Sequence, residues 1–237
     1  MPESIRRRAW LARTAPRTLG WRRRRRLGQL RRTTPIDEHW GVSRGGAIDR
    51  IYIEEFVRQH RGDLRGHVLE AQADDYSSRF GVDVQRVDVL HAVEGNPRAT
   101  IVADLVDAPE IGSDTFDCAL LTQVLPFVFD VAGAIRTVHR ILRPEGVFLA
   151  TVPGITKVAP IESELYGDWW RFTAASARRL TGDVFGVENV EVTTYGNVLA
   201  ATGLLYGLGA WDLSRDELAA HDPAFEVTVG IRAVKRG

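Results

Sequence analysis

The sequence is poor in cysteine and in long apolar runs. Its 237 residues include one cysteine, Cys118, which excludes an internal disulfide framework and a cysteine-rich zinc site. No stretch approaches the roughly 18–20 apolar residues that cross a bilayer. The N-terminal region also lacks the roughly 7–15-residue apolar run of a secretory signal, so we expect a cytoplasmic protein. No His, Asp or Glu cluster has the spacing of a metal site.

The sequence also has no net charge, because two regions of opposite sign cancel. Residues 1–35 hold twelve arginines and one acidic residue, a formal charge of +11, whereas residues 36–237 hold 19 basic and 30 acidic groups, a charge of −11. A block of like charge is typical of a solvated tail. The alternative is contact with an anionic membrane surface or a polyanion, to which Trp10 and Trp21 would add interfacial side chains.

Three regions are expected along the chain: an arginine-rich arm over 1–35, a connector with a helix over 36–66, and an α/β domain over 67–237. Apolar runs predict strands over 67–70, 84–90, 100–103, 116–122, 147–152, 190–195 and 225–234. Helical periodicity predicts helices over 131–142 and 173–184. Alternating strands and helices favour βαβ units. The pattern therefore predicts a Rossmann-like, doubly wound, mainly parallel sheet of seven strands with an antiparallel edge strand.

The order of these motifs resembles the class I S-adenosylmethionine-dependent methyltransferases, in particular the small-molecule and sugar-type enzymes of biosynthetic pathways. The resemblance covers roughly residues 36–235. It is strongest over 104–154, DLVDAPEIGSDTFDCALLTQVLPFVFDVAGAIRTVHRILRPEGVFLATVPG, which matches the family from its third strand to the end of its fifth. It implies S-adenosylmethionine as cofactor and a small acceptor, such as a sugar or natural-product hydroxyl, as partner.

The resemblance also implies where the cofactor binds. In open α/β sheets, ligands bind outside the carboxyl ends of the strands. In the family, an acid after the first strand supports the methionine end, an acid ending the second strand binds the ribose, and residues after the third strand hold the adenine. The residues after the fourth strand line the methyl-transfer cleft. By position these roles fall on Glu70, Asp88, Asp104 with Leu105, and Thr122 with Gln123, and Phe127 is expected to pack on cofactor or substrate.

The sequence departs from the family at the loop after the first strand. The family has a glycine-rich turn there, whereas this chain reads Glu70-Ala71-Gln72-Ala73-Asp74-Asp75. Gln72 stands where the first glycine is expected, and it is therefore a further candidate cofactor-binding residue. Glycine there would allow positive φ and close approach of the backbone to a ligand, whereas the Gln72 side chain is expected to crowd the cofactor's amino-acid end. Asp74 and Asp75 add negative charge near the expected position of the cofactor's carboxylate.

Two interpretations of this departure stay open. The loop is either a tolerated variant that still binds the cofactor, or the fold has lost methyl transfer. In the second case the protein would be a cyclase or rearrangement enzyme of biosynthesis, or a non-catalytic adaptor, because a fold does not fix a function.

Catalytic and acceptor-binding candidates lie in three loops. Methyl transfer to oxygen often uses a general base, for which the candidates are His91, in the loop after the second strand, and Asp168. The segment after the fifth strand joins aromatic and charged side chains that suit a sugar ring or a planar acceptor. The expected acceptor-binding residues, besides Phe127, are Tyr166, Trp169, Trp170, Arg171 and, after the sixth strand, Asn197.

Overall fold

The computed structural model describes residues 31–237. The chain divides into two units, residues 1–35 and 36–237. Every strand and helix named below belongs to the second unit. The expected contacts of the arginine arm fall mostly on residues 1–30, which lie outside the described residues. No helix in the described part of the chain has the length and apolar character that spanning a bilayer requires.

The second unit is built on one sheet of seven strands in the order β3-β2-β1-β4-β5-β7-β6. The strands are β1 Arg65–Ala71, β2 Asp83–His91, β3 Ile101–Val102, β4 Phe116–Thr122, β5 Leu142–Pro153, β6 Val190–Tyr195 and β7 Thr228–Val234. Neighbours from β3 to β5 are parallel, whereas β7 runs antiparallel between β5 and β6 at the far side of the sheet. This is the expected Rossmann-like α/β fold.

Helices connect the strands and cover the sheet. They are α1 Ile48–Gln59, α2 Asp75–Phe80, α3 Val131–Ile141, α4 Pro160–Leu165, α5 Ala174–Phe185, α6 Val198–Tyr206 and α7 Arg215–Ala219. The side chain of Asp130 accepts the amide of Gly133 at the start of α3. Thr173 and Ser176 form a reciprocal capping box at the start of α5. These caps satisfy amides that have no partner within the helix.

The core follows from the apolar patterns of β4, β5 and α3. Phe116, Leu120 and Leu121 of β4 and Phe148 of β5 are fully buried, as expected for central parallel strands covered on both faces. Helix α1 adds Phe56, which contacts the sheet opposite Gly230: a Cβ at Gly230 would lie 2.4 Å from the Phe56 ring. Helix α1 is thereby fixed against the sheet.

Strand order places the functional edge of the sheet. The chain starts at β1, moves outward to β2 and β3, and returns to place β4 on the other side of β1. Loops that leave β1 and β4 therefore diverge and open a crevice at the carboxyl ends of both strands. Helix α1 has Ala47 as its N-cap, and Asp49 lies in its first turn.

Candidate functional site

Two cavities open side by side at the carboxyl ends of β1 and β4. The smaller has a volume of about 330 Å³ and the larger about 540 Å³. Ala71, Gln72 and Phe127 line both of them. The two cavities therefore meet where the loops after β1 and β4 diverge, which is where this type of sheet binds its ligands.

The larger cavity is bounded by the ends of β2 and β3 and is mostly apolar. Leu90 and His91 close it from β2, and Asp104 and Leu105 follow β3. Asp104 accepts the amide of Val106 at 2.9 Å. The predicted adenine-binding pair, Asp104 and Leu105, thus lies together in an apolar slot, the kind of surface that a purine ring fills.

The smaller cavity is lined by charged and polar side chains. It contains the predicted residues Glu70, Thr122 and Gln123, together with charged groups from α1 and from the segment after β5. Its members that sequence reasoning missed include Trp40, Asp49, Arg50 and Lys157. A cavity of this composition suits a polar ligand with several hydrogen-bonding groups.

The loop after β1 keeps a left-handed turn without a glycine. Gln72 has φ = 68°, and its amide donates to the carbonyl of Leu90 at 2.9 Å. Asn96 Nδ2 donates to the Gln72 carbonyl at 2.8 Å. The backbone thus adopts the conformation for which the family uses glycine, at a cost of roughly 1–2 kcal/mol for an L-residue.

The acidic pair of this loop is neutralised by an arginine from the loop after β2. Arg98 contacts Asp74 at 2.6 Å and Asp75 at 2.9 Å. These two ion pairs offset the like-charge repulsion that the sequence predicts toward a cofactor carboxylate. Arg98 lies 24 residues from Asp74 in the chain, which is why the sequence alone does not show the pairing.

Glu70 holds the far end of the same loop, where α2 begins, by hydrogen bonds. Its side chain is almost fully buried and accepts the amides of Tyr76 at 2.9 Å and Ser77 at 2.8 Å, together with the Ser77 hydroxyl. Burial raises the pKa of the Glu70 carboxyl, and the hydrogen bonds from Ser77 and Tyr76 oppose that rise. Both carboxylate oxygens are engaged, so Glu70 fixes the start of α2 behind the cavity.

The loop after β4 also begins with a glutamine in the left-handed region. Gln123 has φ = 57°, and its amide donates to the carbonyl of Thr151 at 2.8 Å. Its Nε2 atom is buried without a hydrogen-bond partner among the described residues. A buried amide without a partner is costly, so this group calls for an explanation, and Gln123 lies at the wall of the smaller cavity.

Asp88 lies inside β2 and lines neither cavity, which contradicts the ribose-binding role expected from the sequence. Strand β2 continues to His91. Asp88 is buried and hydrogen-bonds to His67 Nε2 at 2.7 Å and to the Thr100 hydroxyl at 2.9 Å. Burial raises its pKa, but the hydrogen bonds from His67, Thr100 and Arg86 outweigh burial and lower it. His91, at the strand end, lines the larger cavity in its place.

The two predicted catalytic residues are not brought together. His91 lines the larger cavity, where its Nδ1 lies 2.7 Å from the Val93 carbonyl. Asp168 lines the smaller one, but Arg171 donates to both of its oxygens, at 2.5 and 2.9 Å, and the Ala159 amide donates to one at 2.9 Å. Arg171 holds the Asp168 pKa below its usual range. Asp168 is therefore a structural partner of Arg171 and a poor general base.

The predicted acceptor residues separate into four groups: those at the larger cavity, at the smaller cavity, at both and at neither. Tyr166 and Trp169 line the larger cavity, Arg171 lines the smaller one, and Phe127 lines both. Trp170 lines neither, and its indole donates to the Phe129 carbonyl at 3.2 Å.

Asn197 also lies outside both cavities, which contradicts its predicted acceptor contact. It is the N-cap of α6, where its Oδ1 accepts the amides of Leu199 and Ala200. Its Nδ2 donates to the carbonyls of Glu217 and Ala220, both at 2.7 Å. The side chain is fully used in joining α6 to α7.

The missed residues come from before β1 and after β5. Trp40 Nε1 donates to the Thr156 hydroxyl at 3.3 Å, and Lys157 Nζ lies 3.8 Å from the centre of the Trp40 ring, a cation–π contact. For Trp40 the sequence holds one indication, which is an aromatic residue in a polar stretch directly before Gly41. Lys157 carried none, because a single lysine in a loop is usually solvated.

These observations fit the cofactor that the sequence resemblance implies. The left-handed turn at Gln72 leaves the loop backbone at the edge of the crevice, and Arg98 compensates its acids. Gln123, whose buried side-chain nitrogen has no partner among the described residues, is one of the residues that line the polar cavity, and an apolar slot with Asp104 and Leu105 adjoins it. Gln72, Gln123, Asp104 and Leu105 would hold the cofactor, which when bound supplies an electrophilic methyl group.

Comparisons with known proteins agree with this reading. Residues 62–150 match the sequence model of a family described as "Methyltransferase domain". No curated protein matches the chain.

Solved structures extend the likeness to most of the chain. A Haemonchus contortus phosphoethanolamine N-methyltransferase 2, in complex with phosphomonomethylethanolamine and S-adenosylhomocysteine, is 15% identical, with a TM-score of 0.51 over 78% of this chain and 53% of its own. An S-adenosylmethionine-dependent methyltransferase from Archaeoglobus fulgidus is 8% identical, with a TM-score of 0.51 over 78% and 94%. One from Mesorhizobium loti is 16% identical, with a TM-score of 0.50 over 79% and 100%.

At these identities the structures show a shared fold, and the family match adds a methyltransferase domain within it. Residues 62–150 thus match a methyltransferase domain, and the chain as a whole shares its fold with S-adenosylmethionine-dependent methyltransferases.

Proposed function

We propose that the protein methylates a hydroxyl group of a small polar acceptor, a sugar or a sugar-bearing natural product, held in the smaller cavity. The observation that carries this proposal is the pairing of the two cavities. One is apolar and carries the expected adenine residues, and the other is charged and adjoins it at Gln72 and Phe127. The methyl group would be presented at that junction.

The smaller cavity offers the contacts that a sugar uses. Trp40 contributes an aromatic ring, and Lys157 a cation fixed over that ring. Arg171 is held by Asp168 and also donates to the Lys157 carbonyl at 2.8 Å. Aromatic faces with fixed polar groups around them favour a polyhydroxylated ring over an extended apolar chain.

The larger cavity is proposed to take the adenosine part of the donor. Because a carbonyl only accepts, the 2.7 Å contact with Val93 makes His91 Nδ1 the donor, which leaves Nε2 as an acceptor in the neutral ring. Nε2 can then accept a ribose hydroxyl, the role that buried Asp88 cannot fill. Tyr166 and Trp169 are proposed to enclose the same part of the donor rather than the acceptor.

For the arginine arm, we propose contact with an anionic surface or polyanion on the basis of its charge of +11 alone. The described residues that line the two cavities all come after position 39.

The proposal is tested by methyl transfer from S-adenosylmethionine labelled in its methyl group. The protein is incubated with monosaccharides, sugar nucleotides and glycosylated natural products on one side, and with primary amines and thiols on the other. We expect labelled product with hydroxylated sugars. Transfer confined to amines or thiols would contradict the proposal.

A pair of tryptophan variants separates acceptor binding from donor binding. Trp40→Ala should raise the KM for the acceptor about tenfold, because it removes an aromatic contact of about 1–1.5 kcal/mol, and should leave S-adenosylhomocysteine affinity unchanged. Trp211, which is 82% exposed and lines neither cavity, provides the matched control. Equal losses in Trp40→Ala and Trp211→Ala would remove Trp40 from the acceptor site.

A further inference from the structure

Large apolar side chains are exposed together beside the two cavities. Phe129, Ile161 and Leu165 are 67%, 65% and 64% exposed. With their exposed neighbours they form a surface that we call the apolar rim, made of Phe129, Val158, Ile161, Leu165, Trp169 and Trp170. Apolar side chains scattered singly over a surface are ordinary, whereas a group of them marks an interaction site.

The aromatic part of the rim is fixed by its own contacts. The centre of the Phe129 ring lies 5.1 Å from that of Trp169 and 6.0 Å from that of Trp170. The Trp169 and Trp170 indoles donate to the carbonyls of Tyr166 and Phe129, both at 3.2 Å. Because both N–H groups are already bonded, the rings can leave water without an unpaired donor.

Hydrogen bonds also join the aromatic part of the rim to Val158. The Ala159 amide donates to Asp168 at 2.9 Å, and the Arg171 guanidinium donates to the Lys157 carbonyl at 2.8 Å. Val158 lies between these two anchors. It is therefore held beside the segment that carries the two tryptophans.

Helix α4 places the aliphatic part of the rim next to the smaller cavity. Ile161 and Leu165 are four residues apart, so they share one side of the helix. Glu162, which follows Ile161, lines the smaller cavity, and Phe129 and Trp169 line the larger one. The rim therefore borders both cavities.

A second copy of the chain fits this surface poorly. A two-fold contact brings the same patch of both copies together. Glu162 and Glu164 lie between Ile161 and Leu165 in α4, and Glu164 is exposed. Each would approach the same carboxylates of the other copy, and like charges across an interface disfavour association.

An anionic bilayer surface has the matching chemistry. Tryptophan and phenylalanine rings favour the boundary between water and hydrocarbon. Residues 1–35 carry a charge of +11, and basic residues are attracted to anionic lipid, so this attraction outweighs the repulsion of Glu162 and Glu164. An apolar contact and a basic segment are two signals that together anchor a protein stably.

We propose that the apolar rim docks on an anionic lipid bilayer and inserts its side chains at the level of the headgroups. Docked in this way, both cavities lie at the membrane surface. The docking surface does not depend on which acceptor is methylated, so it stands or falls separately from the proposed function.

Sedimentation of the full chain with lipid vesicles tests the docking surface. Vesicles of mixed phosphatidylcholine and phosphatidylglycerol should bind the unmodified protein, and Ile161→Ser/Leu165→Ser should weaken this binding about tenfold, since two aliphatic side chains no longer leave water. Vesicles of phosphatidylcholine alone should bind the unmodified protein more weakly. Thermal unfolding should not change, because both positions are exposed.

Two valines on the opposite edge of the sheet provide the matched control. Val82 and Val187 are 65% and 67% exposed and precede the amino ends of β2 and β6. Val82→Ser/Val187→Ser removes the same kind of exposed aliphatic group and should bind vesicles as the unmodified protein does. Raising the salt concentration screens the attraction of the basic residues, so the difference between the two double variants should persist in high salt.

A fluorescent label separates insertion of the rim from attraction of the basic residues. The one native cysteine, Cys118, is fully buried, so an environment-sensitive thiol dye is directed to an introduced cysteine. The dye on Leu165→Cys should shift its emission to the blue when the mixed vesicles are added. The dye on Val187→Cys should not shift.

Three results would overturn the proposal. If both double variants bind vesicles equally well, or the dye at position 165 does not respond, the charge of residues 1–35 accounts for binding alone. If sedimentation without lipid shows a dimer that Ile161→Ser/Leu165→Ser dissociates, the rim is covered by a second copy. If neither vesicle composition binds the unmodified protein, the rim does not dock on lipid, while the methyl-transfer assay still decides the proposed function.

Discussion

Gln72 and Gln123 occupy equivalent places on the two sides of the crevice, and their surroundings differ. Each follows the end of a central strand, has positive φ, and donates its amide to the neighbouring outer strand, β2 or β5. On the β1 side, Asn96 and Arg98 tie the loop down. On the β4 side, the Gln123 side-chain amide is buried without a described partner.

The comparison shows that the left-handed turn at these strand ends does not require the glycines of the family. The left-handed turn recurs at both strand ends with glutamine, so it comes from how a strand leaves the sheet at the crevice rather than from glycine itself. An L-residue pays for the turn in strain, and packing around it must compensate. Asn96 and Arg98 hold the β1 loop by polar side-chain contacts, whereas backbone hydrogen bonds hold the β4 loop. Four sets of variants can separate these effects.

The largest expected effect concerns Glu70, because the β4 side has no counterpart of this buried carboxylate. Glu70→Ala removes three hydrogen bonds and leaves the buried amides of Tyr76 and Ser77 without acceptors. We expect a loss of about 3 kcal/mol or more in the free energy of unfolding. Urea denaturation measures it.

A conservative variant controls for the volume removed. Glu70→Gln keeps one acceptor oxygen and the side-chain size, and should cost less than half as much as Glu70→Ala. If Glu70→Ala costs less than about 1 kcal/mol, as an ordinary surface substitution does, the carboxylate does not hold the start of α2.

The second effect falls on ligand affinity. Arg98→Ala frees the charges of Asp74 and Asp75 near the expected position of the cofactor's carboxylate, and should weaken S-adenosylhomocysteine about tenfold, since two like charges near the cavity cost on the order of 1 kcal/mol. Stability should change little, because both ion pairs are solvent-exposed. Calorimetry at low and moderate salt measures the affinity, and salt should reduce the loss.

Further variants test whether Arg98 acts on affinity through its charge. Adding Asp74→Asn and Asp75→Asn to Arg98→Ala should restore affinity. Arg136→Ala removes an exposed contact with Asp130 at 3.7 Å beside the β4 loop, and should have no effect on either affinity or stability. Failure of the double rescue would mean that Arg98 acts by shaping the loop.

The third effect concerns the orphaned amide on the β4 side. Gln123→Met replaces a buried, unpartnered N–H₂ group with an apolar group of similar size, and should stabilise the unliganded protein by about 1 kcal/mol. Gln72→Met, where no orphaned atom exists among the described residues, should change stability by less than about 0.5 kcal/mol. Thermal unfolding compares the pair, and equal shifts would show that water satisfies Gln123.

Much of the fold was predictable because its elements depend on local apolar patterns. The bounds of β4 and β6 coincide with those predicted, since β4 is a largely apolar run and β6 alternates apolar with polar residues, both of which are local strand signals. The Rossmann-like sheet is confirmed. The antiparallel strand lies between β5 and β6, and strand order of this kind is fixed by packing rather than by local sequence.

The site was less predictable because its side chains are engaged by distant partners. Asp88 was expected at a strand end, but His67 on the neighbouring strand binds it within the sheet. Asn197 was expected to face the crevice, but it caps a helix. Arg98 contacts Asp74, and Trp40 contacts Thr156, and in both cases the partner is distant in the sequence. The position of Gln72, by contrast, follows from counting residues along β1.

The smallest effect addresses the backbone itself. Gln72→Gly should stabilise the protein by about 0.5 kcal/mol, because relief of left-handed strain of roughly 1 kcal/mol slightly exceeds the extra backbone entropy of glycine. Gln123→Gly should gain more, since it relieves the same strain and also removes the orphaned amide. Chemical denaturation of both variants beside the unmodified protein measures the difference.

Ala73→Gly is the control that decides the cause. Ala73 follows Gln72 directly but is not among the residues with positive φ, so glycine there should only cost entropy and destabilise by about 0.5–1 kcal/mol. Opposite signs at these adjacent positions would show that the left-handed turn exists in solution without its glycine. If Gln72→Gly and Ala73→Gly lower the free energy of unfolding equally, the loop relaxes to negative φ in solution. Gln72 and Gln123 would then not share a left-handed turn.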